Sequence, residues 1–188
     1  VTKGDAIIVT DVGQHQMWCA LHLRVQEPRT WFTSGGLGTM GFGLPAAMGA
    51  QAAYMDAGSQ RRVIHVAGDG GIKMTGNEYY TIARLNLPII SIIVNNTSLG
   101  MIRQLQKVNY RERYIACQLD YPMDYAGYAR SFGIEAENVD STEGFATALK
   151  HAMAERRPYV IVMNIHRSFV EPMIKGGARI NEFVDFTD

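Results

Sequence analysis

Cysteine is scarce in this chain, and neither sign of charge dominates it. The 188 residues include only Cys19 and Cys117, which lie far apart and outside any paired motif. This disfavours a disulfide scaffold, a zinc site and an iron–sulfur cluster, and it favours a reducing compartment. Eighteen basic side chains balance eighteen acidic ones. Because no basic patch or cationic amphipathic stretch is present, we expect neither a nucleic-acid partner nor a membrane partner.

Long hydrophobic runs are also missing. No apolar stretch approaches the roughly 18 residues of a membrane-spanning helix, and no signal peptide opens the chain. We therefore expect a soluble, cytoplasmic protein. The length suits one domain with a substantial core, so residues 1–188 are predicted to form a single domain, with 168–188 as a C-terminal tail. Since the first residue is Val1 rather than methionine, we expect a piece of a longer polypeptide.

Short apolar runs alternate with helical patterns. The runs are rich in valine and isoleucine, as in strands buried on both faces; they are Ala6–Thr10, Arg62–Ala67, Pro88–Asn95 and Tyr159–Ile165. The helical patterns cover Gln14–Leu23, Gly41–Met55, Asn77–Leu85, Met123–Phe132 and Thr142–Glu155. This alternation predicts an α/β fold, with a doubly wound, mostly parallel sheet and helices on both faces. Gln104–Tyr121 and the tail after Arg167 are predicted to be covering loops.

Polar residues follow two of the predicted strands. "GDGG" (Gly68–Gly71) follows the second strand, and Asn95-Asn96 follows the third. Ligands of such sheets bind beyond the carboxyl ends of the strands, so Asp69 and Asn96 would meet there if the strands are neighbours. Mg²⁺ takes oxygen ligands, few of them from protein and the rest from phosphates and water. The pattern therefore predicts a clamp for a Mg²⁺–diphosphate group.

The glycines and a helix would complete this clamp. Glycines beside Asp69 would let backbone N–H groups approach the phosphates, and a helix starting near Asn77 would point its positive end nearby. Ordinary turn chemistry is the alternative, because a Gly-Asp-Gly sequence and an Asn-Asn pair are each common in turns. The metal hypothesis gains its specificity from the two motifs together, at this spacing and after these strands.

Two further segments narrow the interpretation to one family. They are "VGQHQMW" (Val12–Trp18) and "TSGGLGTMGFGLPAAMGA" (Thr33–Ala50), and they are accompanied by "NNTSLGMIRQLQ" (Asn95–Gln106) and "EPMIKGGARINEF" (Glu171–Phe183). Together with the motifs above, they resemble the large catalytic subunit of acetolactate synthase (acetohydroxyacid synthase). The resemblance covers nearly the whole chain but only one domain of that enzyme, the C-terminal one that binds thiamine diphosphate. The N-terminal pyrimidine-binding domain and the middle domain have no counterpart here, so the resemblance implies a fragment of a three-domain parent chain.

The resemblance implies a carboligase of branched-chain amino-acid biosynthesis. Pyruvate would be decarboxylated and condensed with a second 2-oxo acid, with thiamine diphosphate and Mg²⁺ as cofactors and FAD possible in the parent enzyme. Asp69, Asn96 and the backbone carbonyl of Ser98 would ligate Mg²⁺. The remaining cofactor-binding residues at the strand ends would be Gly13, Gln14, His15, Gly68, Gly70 and Gly71.

The resemblance also implies which residues face the organic part of the cofactor. Gly38 would offer its carbonyl to the aminopyrimidine, and Met40 would be the apolar wedge that bends the cofactor. Leu99 would contact the cofactor, and Met101 and Ile102 would line the reaction site. From the residues alone, the methionines would more often be core than cofactor contacts. His15 could be an ordinary histidine at a helix start, and Trp18 could be a packing or dimer-interface residue.

Partners follow from the resemblance as well. The glutamate that protonates the aminopyrimidine belongs to the pyrimidine-binding domain of a partner subunit in this family. We therefore expect a homo-oligomer, a dimer or a tetramer, and predict that this chain alone is inactive. A regulatory subunit is a further implied partner. Leu105 stands where the family usually has tryptophan, so the preference for the second substrate stays open.

Other classes of protein remain as alternatives. The chain could be the stand-alone subunit of a two-subunit 2-oxo-acid decarboxylase of the sulfopyruvate or phosphonopyruvate type. A subunit of a 2-oxo-acid:ferredoxin oxidoreductase is disfavoured, because the cysteine clusters are missing. A non-catalytic nucleotide-binding module is the third alternative.

Overall fold

Six strands form one sheet in the computed structural model, which describes residue 2 and residues 4–121 and 123–170. They are β1 (Ile7–Thr10), β2 (Trp31–Thr33), β3 (Val63–Gly68), β4 (Ile90–Asn95), β5 (Glu135–Val139) and β6 (Tyr159–Asn164). Every neighbouring pair is parallel, and the order across the sheet is β2-β1-β3-β4-β6-β5. The predicted segment Glu171–Phe183, and with it most of the predicted tail 168–188, lies outside the described residues.

Seven α-helices connect or follow the strands. They are α1 (Gln14–His22), α2 (Gly43–Asp56), α3 (Asp69–Thr75), α4 (Tyr79–Arg84), α5 (Gly100–Asn109), α6 (Tyr125–Ser131) and α7 (Thr142–Ala154). Two of them begin with side-chain caps, since Asp124 accepts a hydrogen bond from Gly127 N and Ser141 accepts one from Gly144 N. In the described part of the chain, no helix is both long and apolar enough to cross a membrane.

Hydrophobic side chains pack on both faces of the sheet. One face carries α2, α3, α4 and α6, and its buried cluster includes Leu44, Ile72 and Ala129 beside Ile7 and Ile93. The opposite face carries α7, and its cluster is centred on the buried residues Ile64, Ile90, Ile161, Ala148 and Ala152. Because strands are covered on both sides, they consist of nearly continuous apolar residues. The predicted doubly wound α/β fold is confirmed.

The structure corrects several predicted elements. β2 and β5 were not predicted because they are the two edge strands, one only three residues long and the other, "EAENV", mostly polar. The predicted helix Asn77–Leu85 is present as a 3-10 turn (Gly76–Glu78) followed by α4. The chain is already helical at Asp69, however, so the helix that begins at the carboxyl ends of the strands is α3 and not the one near Asn77. The predicted loop Gln104–Tyr121 is wrong for its first part, because α5 continues to Asn109. This helix buries none of its residues, and its second half is largely polar, so that half was mistaken for part of the polar loop that follows.

The strand order creates a crevice at the carboxyl ends of the strands, which we call the carboxyl edge of the sheet; the opposite ends form its amino edge. From β1 the chain moves to β2 on one side, and β3 lies on the other side of β1. Where strand order reverses in this way, the connections leave in opposite directions and open a crevice at the carboxyl ends of the two strands. β4 lies directly beside β3, with Gly68 paired to Val94 in the register. The loops after β1, β3 and β4 therefore face one another.

Candidate functional site

A cavity of about 170 Å³ occupies this crevice. Its walls come from the loops after β1, β3 and β4, the starts of α1, α3 and α5, and the segment before α2. All of the predicted site residues line it, namely Gly13, Gln14, His15, Gly38, Met40, Gly68, Asp69, Gly70, Gly71, Asn96, Ser98, Leu99, Met101 and Ile102. Residues predicted from four separate sequence segments thus share one cavity.

Two side-chain oxygens accept hydrogen bonds from the same backbone nitrogen in this cavity. Asp69 Oδ2 accepts a hydrogen bond from Ser98 N at 3.2 Å, and Asn96 Oδ1 accepts one from the same nitrogen at 3.0 Å. Both side chains are buried, Asp69 at 2% exposure and Asn96 at 8%. The hydroxyl of Ser98 is turned to another partner, because it donates to the carbonyl of Cys117. The carboxylate and the amide oxygen therefore lie side by side, where they could share one cation.

The negative charge of the Asp69 carboxylate is only partly stabilised by its surroundings. Burial raises its pKa, although hydrogen bonds from Gly70 N and Ser98 N and the charge of Lys73 act in the opposite direction. No group of three or more His, Cys, Asp or Glu side chains forms a metal site in the described residues. One carboxylate with neutral oxygens is instead a donor set for a hard cation that keeps water or phosphate ligands. The chemistry of these residues fits Mg²⁺ held jointly with a diphosphate.

His15 presents a second unsatisfied group. The ring is buried, and Nε2 has no hydrogen-bond partner among the described residues. Burial lowers the pKa of His15 to about 4, against the effect of a hydrogen bond with the backbone of Asp11. Glycine is needed beside the ring, because a Cβ at Gly13 would lie 2.9 Å from His15 Cε1 and one at Gly68 would lie 3.2 Å from it. A neutral imidazole is therefore held at the cavity wall with one nitrogen available to a ligand.

The side chain of Gln14 links α1 to α5 and to the segment after β6, and it forms part of the cavity wall. Its Nε2 donates to Gln104 Oε1 at 2.8 Å and to Ser168 O at 2.9 Å. Its Oε1 accepts from Asn96 Nδ2 at 3.4 Å. A Cβ at Gly100 would lie 2.0 Å from that Oε1, so this wall also depends on a glycine. The sequence did not predict the contribution of Gly100.

Asp11 is a site residue that the sequence analysis missed. Its Oδ1 accepts from Val12 N at 2.8 Å and from Gly41 N at 2.9 Å, so it ties the segment before α2 to the end of β1. Burial raises its pKa. A Cβ at Gly71 would lie 2.2 Å from Asp11 Oδ2, so packing against Asp11 by itself requires glycine at position 71. A strand-end aspartate followed by Val-Gly was the available signal.

The other end of the cavity is apolar. Met40 reaches Gly70 closely, because a Cβ at Gly70 would lie 3.0 Å from Met40 Cε and 2.5 Å from Leu99 Cδ2. Three more apolar residues that were not predicted as site residues also line the cavity: Val12, Trp18 and Val94. Trp18 lies one helical turn after Gln14, and this spacing along α1 could have indicated that both side chains face the cavity. Leu105 is 48% exposed and does not line the cavity.

Comparisons with known proteins identify the family that the chain is similar to. Residues 11–163 match the family model described as "Thiamine pyrophosphate enzyme, C-terminal TPP binding domain"; thiamine pyrophosphate is another name for thiamine diphosphate. The chain is 46% identical to the acetolactate synthase large subunit of Parasynechococcus marenigrum over 87% of this chain and 26% of that protein. It is 41% identical to the acetolactate synthase large subunit of Lactococcus lactis over 100% of this chain and 32% of that protein. The chain thus spans less than a third of the length of these relatives.

A solved structure shares the fold. The thiamine diphosphate-dependent 4-hydroxybenzoylformate decarboxylase of Rhodococcus jostii RHA1 superimposes with a TM-score of 0.79 at 27% identity, over 87% of this chain and 30% of that one. The family model spans the elements from α1 to β6, except the last residue of β6, and with them the whole cavity wall from Val12 to Ile102. The chain therefore belongs to the family of thiamine pyrophosphate enzymes, as a C-terminal TPP-binding domain similar to that of acetolactate synthase large subunits.

Proposed function

We propose that this chain is the diphosphate-binding domain of an acetolactate synthase. In this proposal the parent enzyme decarboxylates pyruvate and condenses the remaining two-carbon unit with a second 2-oxo acid, which gives 2-acetolactate or 2-aceto-2-hydroxybutyrate in branched-chain amino-acid biosynthesis. The observation that supports it most strongly is the convergence of Asp69 Oδ2 and Asn96 Oδ1 on Ser98 N inside the glycine-lined cavity. The similarity to acetolactate synthase large subunits supports the choice of reaction.

The polar end of the cavity would hold the Mg²⁺–diphosphate group. Asp69 and Asn96 would give side-chain oxygens to Mg²⁺, and Ser98 would give its backbone carbonyl. The start of α3 brings the backbone of Gly70 and Gly71 to the cavity wall, with the Gly70 N–H bonded to Asp69 Oδ1. The neutral His15 ring brings a nitrogen that has no partner among the described residues. Anionic oxygens are favoured at such a helix start because the backbone N–H groups there lack intrahelical partners.

The apolar end would hold the organic part of the cofactor. Gly38 has φ +61°, a conformation suited to glycine, and it lines the cavity beside Met40. Met40 would support the cofactor from below, since a flexible thioether side chain fills an irregular apolar space well. When bound, thiamine diphosphate supplies stabilisation of the carbanion that decarboxylation leaves. Met101 and Ile102, in the first turn of α5, would border the reacting substrates and exclude water.

The remaining parts of the active site would come from another subunit. Ile102 is 42% exposed and Leu37 is 95% exposed, so apolar surface near the cavity is left open in the isolated domain. We propose that the pyrimidine-binding domain of a partner subunit covers it and brings the acidic residue that protonates the cofactor. The working enzyme would then be a homo-oligomer, with a regulatory subunit and bound FAD as features of the parent protein rather than of these residues.

Calorimetry on this chain tests the proposal. Thiamine diphosphate with Mg²⁺ is expected to bind saturably, and ATP with Mg²⁺ is expected to bind more weakly, because Met40 and Gly38 shape the apolar end for the thiamine rings. Stronger binding of ATP would contradict the proposal and favour the nucleotide-binding module. Incubation with pyruvate adds a second check, since the isolated domain is expected to form neither acetolactate nor acetaldehyde. Formation of acetaldehyde would favour the stand-alone decarboxylase.

A further inference from the structure

A second cavity lies behind the wall that Gln14 forms. It has a volume of about 150 Å³ and lies between α5, the loop that follows it, and the segment after β6. It shares Gln14, Asn96, Ser98 and Gly100 with the first cavity. The side chain of Gln14, fixed to Gln104 and Ser168, stands between the two spaces. Neither the family resemblance nor the proposed cofactor clamp gives this space a role.

Positive charge dominates the lining of the second cavity. Arg103, Lys107 and Arg167 line it, and no carboxylate does so among the described residues. Two carboxylates lie outside the lining and compensate this charge only in part. Glu112 is 4.0 Å from Lys107, and Asp120 is 2.6 Å from Arg167. Arg103 has no acidic partner in the described part of the chain, so its charge is not neutralised.

Arg103 is held in place but is left with a free donor. Its Cζ lies 3.6 Å from the centroid of the Tyr114 ring, so the guanidinium stacks on the aromatic face. The ring is held in turn by the neighbouring Ile115, whose backbone N–H and carbonyl both bond to the side chain of Gln106. Nη1 of Arg103 is buried and has no hydrogen-bond partner among the residues that the structure describes. A buried donor of this kind is costly unless a ligand pairs with it.

We propose that the second cavity binds a small oxyanion, a carboxylate or a phosphoryl group, on Arg103. A planar guanidinium with a fixed orientation is suited to two parallel hydrogen bonds with such a group. Lys107 adds a positive charge one helical turn further along α5, and Arg167, which is paired with Asp120, adds a second one from the opposite wall. The cavity is large enough for inorganic phosphate or pyruvate. Because the site borders Gln14 and Asn96, its occupant would press on the same wall as the contents of the first cavity.

Titration with inorganic phosphate in the absence of Mg²⁺ tests this site. The wild-type chain is expected to bind phosphate saturably by calorimetry or by ³¹P NMR. Arg103→Gln is expected to weaken binding by about tenfold or more, because charged hydrogen bonds are lost. Arg103→Lys is expected to fall between the two, since it keeps the charge but loses the planar fork. Arg84→Gln, on the exposed surface of α4, is the matched control and should bind like the wild type.

Two further arms separate the sources of the anion and the two cavities. Titration with pyruvate shows whether the group is a carboxylate, and phosphate binding without pyruvate binding shows a phosphoryl group. The phosphate titration is then repeated after saturation with thiamine diphosphate and Mg²⁺, where binding is expected to persist. Unchanged binding in Arg103→Gln, or loss of phosphate binding in the saturated protein, would contradict a separate site. Absence of thiamine diphosphate binding with phosphate binding intact would contradict only the proposed function.

Discussion

At the amino edge of the sheet every nitrogen of a buried guanidinium has a hydrogen-bond partner, whereas at the carboxyl edge some buried polar groups lack one. Arg62, 7% exposed, donates to the backbone carbonyls of Pro88, Ala152, Glu155 and Arg157. At the other edge, His15 Nε2 has no hydrogen-bond partner within the described part of the chain, and burial raises the pKa of Asp69. Among the described residues three buried side-chain nitrogens lack a partner: His15 Nε2 and Arg103 Nη1 beside the two cavities, and His65 Nε2 inside the sheet. Unsatisfied buried groups reduce stability, so the two beside the cavities indicate that the carboxyl edge is built for a ligand, whereas the bonded Arg62 indicates that the opposite edge is built for stability.

Removal of Arg62 is expected to give the largest loss of stability. Arg62→Met leaves four carbonyls without their donor, and we expect the free energy of unfolding to fall by about 3 kcal/mol. Burial, with a smaller effect of Arg156, lowers the pKa of Arg62 to about 10, so the residue stays charged at neutral pH. Urea denaturation measures the loss.

The adjacent arginine is the control for this experiment. Arg61 pairs with Asp5 and Glu27 at the surface, where solvent screens ion pairs, so Arg61→Met should change stability much less. If the two substitutions lowered the free energy of unfolding equally, the claim that the amino edge is built for stability would be contradicted.

Gly71 offers a test of packing at the carboxyl edge. Gly71→Ala places a Cβ 2.2 Å from Asp11 Oδ2, and we expect a loss of about 2 kcal/mol from the displacement of this buried carboxylate. Gly49→Ala is the matched control, because Gly49 is also helical and a Cβ there meets nothing within 4 Å. That control should gain about 0.5–1 kcal/mol from reduced chain entropy. Denaturation curves of the two variants should therefore shift in opposite directions, and shifts in the same direction would contradict the packing at Asp11.

The pH dependence of stability gives a smaller effect at the centre of the sheet. Burial, followed by repulsion from His15, lowers the pKa of His65 from 6.5 to about 3. The unfolded chain therefore binds the proton first, so the stability contributed by neutral His65 is complete above about pH 6.5. This contribution is lost as the pH falls from there towards about 3.

A leucine substitution isolates this contribution. In His65→Leu the slope of stability against pH below about pH 6 should be reduced by up to about 1.4 kcal/mol per pH unit, relative to wild type. The hydroxyl of Ser91, which bonds His65 Nδ1 at 2.9 Å, keeps its contact with Tyr79 in the variant. Denaturation at pH 7, 6 and 5 gives the two slopes, and identical slopes would show that His65 titrates normally in the folded state.

The sequence predicted those features that depend on residues close together along the chain. Buried strands with polar residues at their ends predicted the sheet, and Asp69 and Asn96 could be placed together because they follow consecutive strands of the prediction. Asp11 and Arg103 could not be found in this way. Asp11 is important because it packs against Gly71, and Arg103 is important because its guanidinium stacks on Tyr114. Neither contact can be predicted from the spacing of the residues in the sequence. The edge strands β2 and β5 were missed because an edge strand has less need of continuous apolar residues.

Binding of thiamine diphosphate to this chain, with and without Mg²⁺, tests the central claim most directly when wild type is compared with Asp69→Asn. The neutral amide is close in size to the carboxylate, and Asp140→Asn, at an exposed position before α7, controls for the loss of one negative charge. We expect Mg²⁺ to strengthen binding to the wild type and to the control, and Asp69→Asn to lose at least about a hundredfold of that gain while staying folded. Binding that is equally tight in all three proteins, or that does not respond to Mg²⁺, would contradict the account.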